Sequence, residues 1–160
     1  MPETPQETNV IHHEVRVAAS RETVFSYFTD PAKLVEWMGA QATVDPRPGG
    51  VCRIVFRPLE ADATAMTGSF VEVEPPNRLV LTWGWELEPL AVPPQSTSVE
   101  VDLRTEGDET VVRLTHSRLP APSVDFHNAG WGHYLPRLVA VAGGLDPGHD
   151  PWQAEASARR

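Results

Sequence analysis

The chain has 160 residues, enough for one domain with a substantial core. Lys and Arg number 13 against 22 Asp and Glu, a net charge of −9, which argues against a general nucleic-acid binder because phosphate contacts need clustered cations. The single cysteine excludes an intrachain disulfide and a cysteine-rich zinc module. The longest apolar run, Leu138–Leu145, is too short to span a membrane, and no basic-then-apolar leader opens the chain. A cytoplasmic location is the expectation.

Residues 1–9 are polar, Pro-containing and free of aromatics, and are expected to be a disordered lead-in. Alternation over Val10–Val17 predicts a strand with Ile11, His13, Val15 and Val17 on one face. Ser20 is placed to cap a helix carrying Val24, Phe25 and Phe28. Asp30-Pro31 ends it and starts a second helix, with Asp30 as N-cap and Leu34, Trp37 and Met38 on its apolar side. Gly39 is the expected stop.

From Ala42 the period becomes two. Strands are predicted over Ala42–Asp45, Val51–Arg57, Thr67–Glu74, Arg78–Leu87, Thr97–Arg104 and Thr110–Ser117. Pro/Gly turns separate several of them, and Gly107-Asp108 closes a hairpin. Along Arg78–Leu87 the residues Leu79, Leu81, Trp83, Trp85 and Leu87 share one face. A final helix follows Ser123, with Trp131, Leu135, Leu138 and Ala142 in one stripe, Pro136 inside it and Gly143-Gly144 at its end. Residues 146–160 read as a tail. Strands in a run with helices grouped at the ends indicate an α+β fold. A curved antiparallel sheet of six to seven strands, with the long C-terminal helix across its concave face and two short helices after the first strand, satisfies every apolar stripe.

Val15–Ser20, Val24-Phe25, Phe28–Pro31, Leu34 and Trp37 are similar to the opening of the START-like (SRPBCC, helix-grip, birch-pollen-allergen-like) superfamily. The later marks are Pro48-Gly49-Gly50, Gly68, Glu72–Val80, Thr82-Trp83, Thr115-His116, Gly130-Trp131, Tyr134-Leu135 and Leu138. Within that superfamily the pattern over residues 10–145 resembles the branch related to the activator of the ninety-kilodalton heat-shock protein ATPase. The resemblance implies a helix-grip fold with a cavity between sheet and long helix. Members bind lipids, sterols or polyketides, some are cyclases or hydroxylases, and the eukaryotic namesake is a co-chaperone, so fold alone assigns no activity.

Candidate ligand-binding residues are the aromatics expected to face that interior, Trp37, Phe56, Phe70, Trp83, Trp85, Trp131 and Tyr134, with Leu135, Leu138, His13 and His116 beside them. Such rings fill a core or wall a pocket. If the first and last strands pair, His13 and His116 become inward-facing cross-strand neighbours able to bind a carbonyl or act as a base. Glu72 shares parity with Phe70 and reads as a polar cavity group, with Arg53 or Arg113 as its partner, unless a bulge turns it outward. His127 or His133 fits the cavity mouth. Cys52 reads as a small core residue. No spacing matches a metal motif, and no cofactor is expected. The expected activity is binding of a small hydrophobic molecule. The alternatives are a cyclase- or hydrolase-like enzyme using His13, His116 or Glu72, and a protein-interaction module with a chaperone partner. The helix pair Ser20–Met38 and the segments Leu87–Gln95 and Leu119–Phe126 are expected to border the entrance.

Overall fold

The computed structural model describes residues 9–56, 64–86 and 92–152. The expected lead-in as far as Thr8, Leu87 at the end of its predicted strand, and the tail beyond Trp152 lie outside the described residues. In chain order the elements are β1 (Ile11–Val17), α1 (Arg21–Thr29), α2 (Pro31–Leu34), β2 (Gln41–Val44), β3 (Val51–Phe56), β4 (Thr64–Glu74), β5 (Arg78–Trp83), β6 (Thr97–Glu106), β7 (Glu109–Ser117) and α3 (Val124–Ala142). The seven strands form one antiparallel sheet in the order β1-β7-β6-β5-β4-β3-β2. The first strand therefore pairs with the last, and the sheet curves around α3 as a helix-grip α+β fold.

Local chemistry explains the helix ends. The Ser20 hydroxyl accepts from the Thr23 amide, and the Asp30 carboxylate accepts from the Ala32 amide with Pro31 next in line. Each cap satisfies an amide that has no partner within its own helix. Trp37 lies just past α2, and its indole N–H donates to the Tyr27 carbonyl at 2.9 Å, which ties the two short helices together. The predicted cap at Ser123 is replaced by a 3-10 turn over Ala121–Ser123. There the Ser123 hydroxyl donates to the Pro120 carbonyl at 2.8 Å and takes no part in capping α3. The α-helix runs through Pro136 and stops at Gly143.

The strand faces follow the sequence period except at two places. β5 ends at Trp83, earlier than expected, because the backbone at Gly84 is crossed by Pro93: a methyl added at Gly84 would lie 1.9 Å from the Pro93 carbonyl oxygen. Trp85 still pairs, through an isolated bridge to Met66. The second exception is a register shift between Phe70 and Glu72 in β4. It leaves Val71 exposed and turns Glu72 to the outer face. Gly68 lets β4 and β5 come close, since a Cβ there would sit 1.7 Å from the Thr82 carbonyl oxygen.

Candidate functional site

The inner faces of β3 to β7 and the buried face of α3 meet in a cluster of rings. Trp83, on β5, lies at its centre. Its ring centroid is 5.1 Å from Trp131 on α3, 5.6 Å from His116 on β7 and 5.8 Å from Trp85. Phe56 joins Trp85 to Tyr134 at 5.5 and 5.7 Å. Tilted and edge-on geometries of this kind add to the area effect of burial.

Two histidines organise the polar atoms of the cluster. The Trp131 N–H donates to His116 Nδ1 at 3.1 Å. The Thr97 hydroxyl donates to the Trp83 carbonyl at 2.7 Å, so at the 2.8 Å contact between Thr97 Oγ1 and His116 Nε2 the histidine is the donor. His116 is thus the Nε2–H tautomer with both nitrogens in use. The Trp85 N–H donates to His127 Nε2 at 2.9 Å, and His127 Nδ1–H donates to the Ser123 carbonyl at 2.8 Å. His127 is the opposite tautomer, also fully committed. The two imidazoles stand 5.1 Å apart, edge to face. Burial drives the His116 pKa down to about 3, with the neighbouring His127 adding to the effect, and burial also lowers His127. Both rings are neutral near pH 7.

The third tryptophan of the cluster differs. The Trp83 N–H is buried and has no acceptor. Beside it lies a narrow apolar cavity of about 20 Å³, lined by Trp83 and Trp131 with Phe28, Met38, Cys52 and Met66 among its walls. That is room for about one water molecule. The sequence leads one to expect a hollow of several hundred cubic ångströms; the described residues close most of it, because Trp83, Trp85 and Trp131 wedge into one another. Cys52 is a buried wall of this space, and burial raises its thiol pKa to about 12, so it is no nucleophile.

The remaining candidates are distributed as follows. Phe70, Leu135 and Leu138 are buried in the core, and Trp37 packs edge-on against Phe28 at 5.3 Å. His13 does not oppose His116. The register sets Ile11 against His116 and His13 against Leu114, and His13 Nε2 instead meets Asn128 Oδ1 on α3 at 3.0 Å. Pairing of the first and last strands is correct, but the offset is two residues. Glu72 is not a cavity group. On the outer face it accepts from Arg78 at 2.9 Å, and the same guanidinium reaches Asp102 at 2.8 Å and Glu100 at 3.2 Å. These carboxylates push the Arg78 pKa up. Arg53 also faces outward and forms a two-toothed pair with Glu86 at 2.7 and 3.0 Å. That pair, with a hydrogen bond from Thr67, lowers the Glu86 pKa to about 2.

His127, expected at the mouth, is inside. It stands four residues before Trp131, on the same helical stripe as Leu135 and Leu138, and that spacing is the signal that marks it as inward. His133 lies on another side of α3, stacked on Trp152 at 3.7 Å and bonded to Asp150 at 2.9 Å. Arg137 donates to the Pro147 and Gly148 carbonyls. The segment as far as Trp152 therefore folds back along α3. Among the described residues no three His, Cys, Asp or Glu side chains converge as metal ligands, and no helix is long and apolar enough to cross a membrane.

Comparison with known proteins agrees with this architecture. An AHSA1-like protein from Rhizobium etli is 43% identical, with a TM-score of 0.68, covering 89% of this chain and 86% of its own. CalU16 from Micromonospora echinospora is 27% identical, with a TM-score of 0.68, covering 94% of this chain and 82% of its own. DynU16, from the dynemicin biosynthetic locus, is 24% identical with a TM-score of 0.71; the match takes in 89% of this chain but spans only half of DynU16. No curated protein matches. Residues 18–143 match the family described as Activator of Hsp90 ATPase homolog 1-like protein, and the chain belongs to that family.

Proposed function

We propose that this domain binds a small, mainly hydrophobic, aromatic or lipid-like molecule between the sheet and α3. The observation that carries this reading is Trp83, a buried indole N–H without an acceptor on the wall of an apolar cavity. Leaving such a donor unmade costs about 1–3 kcal/mol. A fold retains that cost at a position where a guest supplies the missing acceptor. The cavity is small as it stands, but Met38 and Met66 form part of its wall, and the unbranched thioether side chain repacks readily around a guest. Burial of the guest's apolar surface supplies roughly 25 cal/mol per Å².

A thermal-shift screen against fatty acids, flavonoids and aromatic polyketides tests the reading. A ligand at a hundred times its Kd stabilises the fold by about 2.7 kcal/mol, on the order of 6–10 °C in Tm for a domain of this size. No shift with any of the three classes, at concentrations near their solubility limits, refutes it.

A second reading, a protein-interaction module, draws on the outer sheet face, where Arg78 is ringed by Glu72, Glu100 and Asp102. Three carboxylates on one cation leave that patch acidic, suited to a basic partner surface. Its test is ATPase stimulation of a ninety-kilodalton heat-shock chaperone, lost in Glu100→Lys.

A further inference from the structure

We infer that Trp83 is the specificity-determining donor of this cavity, and that the guest it selects is electrically neutral and carries a carbonyl-type acceptor on an apolar aromatic body. This rests on the interior-binding reading above and adds the chemical class.

The inference follows from what surrounds the indole. Its ring neighbours are Trp85, Trp131 and His116. None of them has an acceptor to offer. The two tryptophans are donors, and His116 spends Nδ1 on Trp131 and Nε2–H on Thr97. The Thr97 hydroxyl is already directed at the carbonyl of Trp83 itself. The acceptor for the Trp83 N–H therefore has to enter through the cavity. Water is a poor occupant, because a buried water needs two to four polar partners. The lining offers one strong donor and otherwise hydrocarbon and sulfur, from residues such as Met38, Met66 and Cys52. A ketone or quinone oxygen needs one donor and is matched. An alcohol brings an O–H that only a weak sulfur acceptor can meet.

Charge sets the second limit. No Lys or Arg lines the cavity. The nearby imidazoles are neutral by burial and lack a free nitrogen. A carboxylate brought here would be a buried charge without a counterion, which is strongly disfavoured. Fatty-acid anions are accordingly poor guests, while neutral aromatic ketones are good ones.

Three compounds of nearly equal shape separate the possibilities: acetophenone, its hydrocarbon twin α-methylstyrene, and benzoate. Binding is followed by NMR on protein carrying 15N-labelled tryptophan indoles, with the Trp83 signal assigned from Trp83→Phe. Acetophenone is expected to move the Trp83 indole resonance and to bind about tenfold more tightly than α-methylstyrene, the worth of one net hydrogen bond. Benzoate is expected to bind most weakly. In Trp83→Phe, the ketone and the hydrocarbon are expected to bind equally. Should that variant fail to fold, the wild-type affinity ratio and the indole shift decide alone. Equal wild-type affinities for ketone and hydrocarbon, or benzoate binding as tightly as the ketone, overturn the inference and leave interior binding standing. If none of the three perturbs the interior methyl resonances of Met38 and Met66, the binding reading falls with it.

Discussion

Lowering the pH from 7.5 to 5 should destabilise this domain mainly through His116. An ordinary histidine titrates at 6.5, whereas burial holds His116 at about 3 in the folded chain. The folded value lies below the unfolded one, so the unfolded chain takes up the proton first. The contribution of His116 to stability is therefore complete above about pH 6.5 and drains away as the pH falls toward 3. Each excess proton bound by the unfolded state removes about 1.36 kcal/mol per pH unit. Between pH 6.5 and pH 5 the loss from this one residue is about 2 kcal/mol. Its geometric cause is explicit, since protonated Nδ1 would turn an N–H toward the N–H of Trp131. Urea denaturation at half-unit pH steps, followed by tryptophan fluorescence, measures the slope. His116→Gln keeps an amide acceptor and donor in place of the ring but cannot titrate, so its curve should be flatter by about one proton. Parallel curves for the two proteins over pH 5–6.5 would show that His116 is not the proton-linked group and that its burial and tautomer are misassigned.

Other outcomes follow from the same contacts. His127→Ala leaves the Trp85 N–H and the Ser123 carbonyl without partners and opens a hole, a loss of about 2–4 kcal/mol visible as a lower urea midpoint. Gly68→Ala forces a methyl against the Thr82 carbonyl and should part β4 from β5, lowering Tm severely or abolishing soluble expression. Gly130→Ala has open space around its Cβ and lies within α3, so it should gain up to about 1 kcal/mol by helix propensity, read as a higher Tm. Trp152→Ala removes the stack on His133, and amide exchange over residues 145–152 should quicken while the sheet amides keep their protection.

Much of the fold is legible in the residues. Alternation fixes which side of each strand meets the core, as with Val99, Val101 and Leu103 against Glu100 and Asp102, because neighbouring side chains must point to opposite faces. Ser20 and Asp30-Pro31 place two helix starts correctly because capping is a local hydrogen bond. The stripe of α3 identifies Trp131, Leu135 and Leu138 as inward. Other features depend on contacts far apart in sequence. The bulge at Phe70/Glu72 reverses parity, so a carboxylate that alternation aims inward ends beside Arg78 outside. The offset between β1 and β7 separates His13 from His116, since register is set by whole faces and not by single polar residues. Two elements packed together decided which nitrogen of each histidine bears the proton, which tryptophans are satisfied and which is left wanting. A chain read in order names the rings and histidines that enter the interior. Only their meeting, with α3 laid across the sheet, leaves one indole N–H unanswered.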